Sequence, residues 1–342
     1  MASTSIKEVA REAGVSVGTV SNVLNRPDLV AEQTRVRVLD AIERLRFVRN
    51  DSARSLRSGR TNALGLVVLD VANPFFTDVA RSVEDVAGES GAVVILCNSD
   101  DSAAKQDRYL RVLQEQRVRG VLITPAHDSR LPVDELRERG VAVVLLDHTG
   151  VRDDLCSVAV DDVAGGRLAA THLVARGHRE FAFVSGALTI RQCADRRQGM
   201  RESVQAAGLR LGPSVRDVIV PGMNARSGAE AARVLLASGT DSLPSAVFCA
   251  NDLLAMGLMR ELLRAGVRVP EDVAIVGYDD IEFAAASAVP ITSIRQPTLR
   301  LGRTAAELLL DECDDPEGHV HRQVVFQPEL VARESTVGPI DG

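Results

Sequence analysis

Ile6-Lys7-Glu8-Val9-Ala10-Arg11-Glu12-Ala13-Gly14-Val15-Ser16-Val17-Gly18-Thr19-Val20-Ser21-Asn22-Val23-Leu24-Asn25 reads as two short helices joined by a tight turn. Ser5 followed by Glu8 is a capping-box pattern, in which a hydroxyl accepts from a backbone amide and a carboxylate reaches back. Ile6, Val9, Ala10 and Ala13 recur at helical spacing. Gly14 is the residue type that ends a helix at positive φ, and Val15 plugs the corner. Ser16 is the N-cap expected of a second helix running to about Leu24. With Val20, Val23 and Leu24 inward, Val17, Gly18, Ser21 and Asn22 are left outward near the helix N-terminus. That is where a helix laid in the major groove of DNA touches base edges. Asn22 offers a paired donor and acceptor to adenine, and Val17 offers a methyl contact to thymine. Ser16, Thr19 and Ser21 are short hydroxyl donors suited to phosphate oxygens. A third helix, over residues 31–45, is expected to pack Val36, Leu39 and Ile42 against the first two. Glycine-turned helical hairpins also occur in folds that never touch DNA. Gly18 costs this one about 1 kcal/mol of helix stability against alanine, and the outward face is short of charge.

Working outward, the chain has 342 residues, enough for two or three domains of about 150 residues each. Its composition is 45% apolar, which permits sizeable cores. The net charge of −7 argues against a wholly basic nucleic-acid binder, but the charge is unevenly spread. Residues 1–60 carry eleven basic and seven acidic side chains, and everything after them is acidic on balance. A mildly basic head on an acidic body suits a protein that touches phosphate with one end. Five scattered cysteines (Cys97, Cys156, Cys193, Cys249 and Cys313) show neither a disulfide framework nor a metal-ligand spacing. A reducing cytoplasm is therefore expected, with no metal and no cofactor. The sequence shows no signal peptide and no apolar run long enough to span a membrane.

Residues 50–60, Asn-Asp-Ser-Ala-Arg-Ser-Leu-Arg-Ser-Gly-Arg, are polar and too short to hold a helix alone. By composition they read as an interdomain linker. From Thr61 onward, short apolar runs alternate with helical stretches. Strands are expected at 63–69, 92–97, 121–124, 141–147, 181–185, 218–220, 246–250 and 273–278. Alternation of this kind implies parallel α/β sheets, and about ten strands favour two sheets over one. Ligands in such folds bind at the carboxyl ends of strands. Five clusters fall there: Asp70 to Phe76, Asp147-His148, Arg196 with its neighbours, Asn251-Asp252 and Asp279-Asp280. Carboxylates, amides, a guanidinium and aromatic faces together suit a polyhydroxylated ligand. Each residue also has a plainer structural use, as helix cap, turn former or salt-bridge partner.

The segment 5–25 resembles the headpiece of the LacI–GalR family of bacterial repressors, whose pattern is approximately T-I-x-D-V-A-x-x-A-G-V-S-x-x-T-V-S-x-V-L-N. Ser5 replaces Thr and Glu8 replaces Asp. The resemblance implies that Val17, Gly18 and Asn22 read bases. It also reverses the linker reading, because Ala53-Arg54-Ser55-Leu56 is similar to the family's hinge helix. There paired hinge helices would enter the minor groove, with Leu56 wedged into the central base step, Arg54 near phosphates and Ala53 also counted among the DNA-binding residues. The body resembles the periplasmic-binding-protein-like core of the same family through Asn73-Pro74-Phe75-Phe76, Asn251-Asp252-Leu253-Leu254-Ala255-Met256-Gly257, Val276-Gly277-Tyr278-Asp279-Asp280 and Thr292-Ser293-Ile294-Arg295-Gln296-Pro297. The implied effector-binding residues are Phe75, Asp147, Arg196, Asn251, Asp279 and Gln296. His148 stands where the family often has Arg.

The expected architecture is thus a small all-α helix-turn-helix headpiece (1–49), a hinge (50–60) and an α/β core of two parallel-sheet lobes (61–342). The N-lobe is placed at about 61–160 plus 292–322, and the C-lobe at about 161–291 plus 323–342, with chain crossings near 160–162, 290–292 and 322–324. A homodimer is expected, since a palindromic operator mirrors two-fold symmetry. The expected function is a ligand-responsive, sequence-specific transcription regulator, a repressor whose effector is a sugar or glycoside. A nucleoside or purine effector is the alternative, followed by a sugar-binding transport component. An enzyme is disfavoured, because the chain holds no phosphate-binding Gly-rich loop and no nucleophile elbow.

Overall fold

The structure, a computed structural model, describes residues 4–47, 61–126, 131–149 and 153–338. The chain divides into two units, Met1–Thr61 and Asn62–Gly342. The hinge residues Ala53, Arg54 and Leu56 lie outside the described residues.

Among the described residues the first unit holds three α-helices: α1 (Ile6–Ala13), α2 (Val17–Asn25) and α3 (Glu32–Arg44). At its start the Ser5 backbone N–H donates to Glu8 Oε2 at 2.7 Å. The Ser5 hydroxyl donates to the same carboxylate oxygen at 3.0 Å. Gly14 caps α1 at φ 65°, and Ser16 Oγ accepts from the Thr19 backbone N–H at 3.0 Å to open α2. Val9, Ala10, Ala13, Val20, Val23, Val38 and Ala41 form the buried core. The expected face of α3 holds at Ile42 and fails at Val36 and Leu39. Val38 and Ala41 are buried, with Ile42 and Leu45 packed against them, while Val36 and Leu39 are nearly half exposed. Both stripes satisfy helical spacing, and closure on α1 selects the one carrying the small Ala41.

Among its described residues the second unit contains two six-stranded sheets. The strands are β1 (Ala63–Val68), β2 (Val93–Asn98), β3 (Gly120–Ile123), β4 (Ala142–Leu146), β5 (Cys156–Val160), β6 (Phe181–Ser185), β7 (Val215–Ile219), β8 (Ala246–Cys249), β9 (Ala274–Asp279), β10 (Thr292–Arg295), β11 (Gln323–Phe326) and β12 (Glu329–Val331). The first sheet runs β11-β5-β4-β3-β1-β2 and is wholly parallel. The second runs β12-β10-β9-β8-β6-β7, with β12 alone antiparallel. Central strands such as β1, β4 and β9 are buried along their whole length. Their continuous apolar runs reflect helices covering both faces.

The chain passes between sheets three times. The first passage follows β5 into the helix Asp162–Ala175, as expected. The other two come one strand later than expected. β10 pairs with β9 in the second sheet, so the chain returns only after Arg295, into the helix Thr298–Asp314, which packs on β3, β4 and the helix Pro74–Glu89. β11 pairs with β5 in the first sheet, so the last passage lies between Phe326 and Glu329. The lobe boundaries move accordingly: 292–295 belongs to the second lobe and 323–326 to the first. Short strands ending in polar residues carry too weak a pattern to reveal which sheet receives them.

A glycine seam sets the frame of the second lobe. A side chain on Gly166 would stand 2.0 Å from the Arg196 carbonyl oxygen, and one on Gly199 would stand 1.9 Å from that of Val163. The helices Asp162–Ala175 and Arg191–Ala206 therefore meet backbone to backbone, which places Arg196 beside Asp162. No helix among the described residues is long and apolar enough to cross a membrane.

Candidate functional site

The parallel sheets direct the carboxyl ends of β1, β4, β6, β8 and β9 toward one cleft between the lobes. A narrow space of about 40 Å³ there is lined by Phe75, Asp147, Arg196, Asn251 and Asp279 together with Asp70, Asn73, Asp101 and Gln192. A space of this size is well below that of a ligand pocket, so the lobes must part to admit an effector. Five of the six residues expected to bind effector thus converge. Gln296 sits one layer behind, donating from Nε2 to Asp279 Oδ1 at 2.8 Å.

The polar groups are held by the ends of the elements that carry them. Asp147 leaves β4 at φ 50°, Asp279 closes β9 at φ 101°, and Asp101 follows β2 at φ 54°. Aspartate tolerates this left-handed backbone better than most residues, and the turn swings its carboxylate into the cleft. Asn73 caps the helix Pro74–Glu89 by accepting from the Phe75 N–H at 3.1 Å. Its Nδ2 then donates to Asp279 Oδ2 at 2.9 Å. Asn251 caps the helix Asp252–Arg264 in the same way, accepting from the Leu254 N–H at 2.9 Å. Its own amide donates to the Met223 carbonyl at 2.8 Å. Phe75 is buried and stands edge-on to Phe76, with ring centroids 5.0 Å apart.

Among the described residues, Arg196 is the one cation lining the cavity. Its Nε donates to Asp162 Oδ1 and its Nη1 to the Ala250 carbonyl, each at 2.7 Å. Its Cζ lies 3.6 Å from the centroid of the Tyr278 ring. Asp279 is more distant, at 4.0 Å. Gln192 reaches across the cleft and donates from Nε2 to the Asp147 carbonyl at 2.6 Å and to Oδ2 at 3.0 Å. The other Asp147 oxygen, Oδ1, is buried with no hydrogen-bond partner among the described residues.

Carboxylates outnumber cations here, and their proton affinities respond. Burial pushes Asp279 up to about 6, although the guanidinium of Arg196 and the amides of Asn73 and Gln296 pull the other way. Burial, with Asp70 and Asp100 close by, also holds Asp101 at about 6. Asp147 is raised well above the usual carboxylate range by burial and by the charge of Asp162. The cleft thus offers carboxyl groups that accept and, when protonated, donate, beside one fixed cation, which matches a ligand whose groups both donate and accept.

Ile190 and Gln192 also line the cavity and belong to the segment 190–192 that the family resemblance places against ligand, whereas Asp101, Cys193 and Met223 line it without having been singled out from sequence. Asp101 was findable, because it follows a strand end just as Asp147 does. Met223 was not, since it comes from a loop without pattern.

In the headpiece, Ser16, Val17, Gly18 and Asn22 are exposed along the first turns of α2, and Thr19 and Ser21 are half-buried. The Ser16 and Thr19 hydroxyls lie 2.9 Å apart. A side chain on Gly18 would touch only Ser16 Oγ, at 3.6 Å, so the surface there is open.

Two family models match the chain. Residues 5–50 match "Bacterial regulatory proteins, lacI family", and residues 170–336 match a periplasmic-binding-protein-like domain. The HTH-type transcriptional repressor PurR of Photobacterium profundum is 36% identical over 332 residues, covering 96% of this chain and 98% of that repressor. PurR of Vibrio cholerae is also 36% identical, with 96% and 97% covered. Among solved structures, the complex of the transcriptional regulator CelR with cellobiose is 34% identical with a TM-score of 0.71, covering 97% of this chain and 99% of that one. The lac repressor dimer bound to operator and the anti-inducer ONPF is 26% identical with a TM-score of 0.83, covering 98% and 99%.

Proposed function

We infer from its membership of the LacI family of bacterial regulatory proteins, to which the chain belongs, how this transcriptional repressor divides its labour. Residues 1–49 read an operator, 50–60 act as a hinge, and the remaining residues bind effector. The protein acts in the cytoplasm as a homodimer on a palindromic site and has no catalytic step. Val17, Gly18 and Asn22 face base edges, Ser16, Thr19 and Ser21 face phosphates, and Ala53, Arg54 and Leu56 engage the minor groove at the centre. Two-fold pairing of α2 on successive major grooves sets the half-site spacing.

Phe75, Asp147, Arg196, Asn251 and Asp279 hold the effector, with Gln296 fixing Asp279 from behind. A sugar or glycoside is the reading we favour. The observation that carries it is the buried, unpaired Asp147 Oδ1 in a cleft lined by three further carboxylates. A polyol supplies a donor at each hydroxyl, and its C–H face can rest on Phe75. The CelR relative was solved with cellobiose, which supports the same class. The relatives named PurR support a purine or nucleoside as the second reading. An effector that prefers one degree of cleft closure shifts the population of that state and thereby the affinity for operator.

Selection of binding sites from random duplex DNA with the full chain tests the DNA half. A two-fold symmetric site with an easily kinked central step supports it, and unpatterned DNA recovered both with and without candidate effectors refutes it. Leu56→Gly should abolish specific binding and leave weak, salt-sensitive binding. Calorimetry against mono- and disaccharides, nucleosides and free bases decides the effector class.

A further inference from the structure

At the amino end of β5, remote from the cleft end of the sheet, the fold brings together three side chains that the sequence keeps apart. Cys156 Sγ lies 3.2 Å from His319 Nε2 and 3.8 Å from His321 Nδ1. All three atoms fall within 4.8 Å of one another. Cys156 is fully buried, and the His319 side chain is only 1% exposed. His319 turns its other ring nitrogen to Asp311 Oδ2 at 2.8 Å, which leaves Nε2 aimed at the sulfur. Glu312 lies close enough to interact electrostatically with His319 and Cys156, and its Oε2 is buried without a hydrogen-bond partner among the described residues.

We propose that Cys156, His319 and His321 form a binding site for a divalent transition ion of the zinc class. In a tetrahedral zinc site, bonds of about 2.3 Å to sulfur and about 2.0 Å to nitrogen set those two ligands about 3.6 Å apart. The observed separations fall on either side of that value. A carboxylate on the far nitrogen of a ligating histidine is the usual outer partner, fixing the ring tautomer as Asp311 does here. Thiolate with imidazole selects zinc-like ions over magnesium or calcium. A water completes the fourth position. Binding replaces the thiol S–H with a sulfur–metal bond and releases that proton to solvent. A hydrogen-bonded Cys156–His319–Asp311 relay would explain two of these groups. It leaves unexplained why His321 also points a nitrogen at the same sulfur.

The site has a definite place in the fold. His319 and His321 belong to the segment between the helix Thr298–Asp314 and β11. The Arg322 N–H donates to Cys156 Sγ at 3.2 Å. An ion there ties β11, the edge strand that leads into the last passage between lobes, to its neighbour β5.

The full-length protein, stripped with a chelator, would be titrated with zinc by calorimetry and with cobalt(II) by absorbance. We expect about one ion per chain, a thiolate-to-cobalt band, ligand-field bands of tetrahedral intensity, and a melting temperature that rises with zinc. Cys156→Ser should abolish the thiolate band. Asp311→Asn, a surface change that leaves the fold intact, should weaken zinc binding about ten- to a hundredfold. Absence of stoichiometric binding overturns the assignment. So does a cobalt spectrum that survives Cys156→Ser, or a zinc affinity that Asp311→Asn does not move. These readouts involve neither operator nor effector, so their outcome is independent of the function proposed above.

Discussion

The two surfaces proposed to bind operator and effector are built on opposite electrostatic plans. The reading face of α2 is exposed, uncharged and made of short side chains: Ser16, Val17, Gly18 and Asn22. The cleft is buried and charged, and much of it is satisfied internally, through Arg196 with Asp162, Asn73 with Asp279, and Gln192 with Asp147. A surface that meets a polyanion can leave the charge to its partner and supply shape and hydrogen bonds. A surface that meets a small neutral molecule must carry its own dipoles and keep them ordered in its absence. Damage should therefore propagate differently: substitutions in the cleft cost the core stability as well as affinity, whereas substitutions on α2 change recognition and leave the core untouched.

The largest expected effect is at Arg196. Arg196→Ala leaves Asp162 buried without its cation, a loss of roughly 3–5 kcal/mol. Thermal unfolding should show the core transition falling while isolated headpiece folding is unchanged. An equal fall in both would break the contrast. Asp147→Asn, which replaces the carboxyl group while keeping its shape, should weaken effector binding by about 0.5–1.5 kcal/mol, the range for a hydrogen bond between neutral groups. Operator affinity without effector should hold, and calorimetry together with a gel-shift titration reads both. The third prediction concerns pH. Asp279 is raised to about 6 in the folded core, so the folded state holds that proton more tightly than the unfolded chain does. This group's contribution to stability is therefore lost as pH rises between about 4 and 6. Asp279→Asn should flatten that part of the profile of melting temperature against pH, whereas changes in α2 should not. The smallest effect is Gly18→Ala, which should stabilise the headpiece by about 1 kcal/mol while altering base preference at one position of each half-site. A selected site identical to that of the parent would remove Gly18 from the reading face.

The same contrast explains what was legible in the sequence. The headpiece closes through contacts between near neighbours, so Ser5 with Glu8, Gly14, and Ser16 with Thr19 could all be read from spacing alone. The exception is α3, where two apolar stripes compete and only packing chooses between them. In the cleft, Asn73 and Asp279 are 206 positions apart. Strand-end residues were identifiable one at a time, because parallel α/β topology sends every carboxyl end to one side. Their mutual pairing was not, and neither was Met223 or the strand exchange of β10 and β11. Cys156 and His319 lie 163 positions apart. His319 and His321 stand two positions apart, but with the third member of the cluster on a distant strand they carry no ligand spacing.

Two of the hydrogen bonds in the cleft cross from lobe to lobe, Asn73 to Asp279 and Gln192 to Asp147. They act as a clasp that the protein fastens for itself. A guest that slips between the lobes unfastens it and must offer donors to both freed carboxylates, or leave them stranded in a poorly solvated gap. Admission therefore depends on how many donors a molecule carries and how far apart they stand, more than on how large it is. A guest that satisfies one side only trades one bond for another and gains nothing from closing the door behind it.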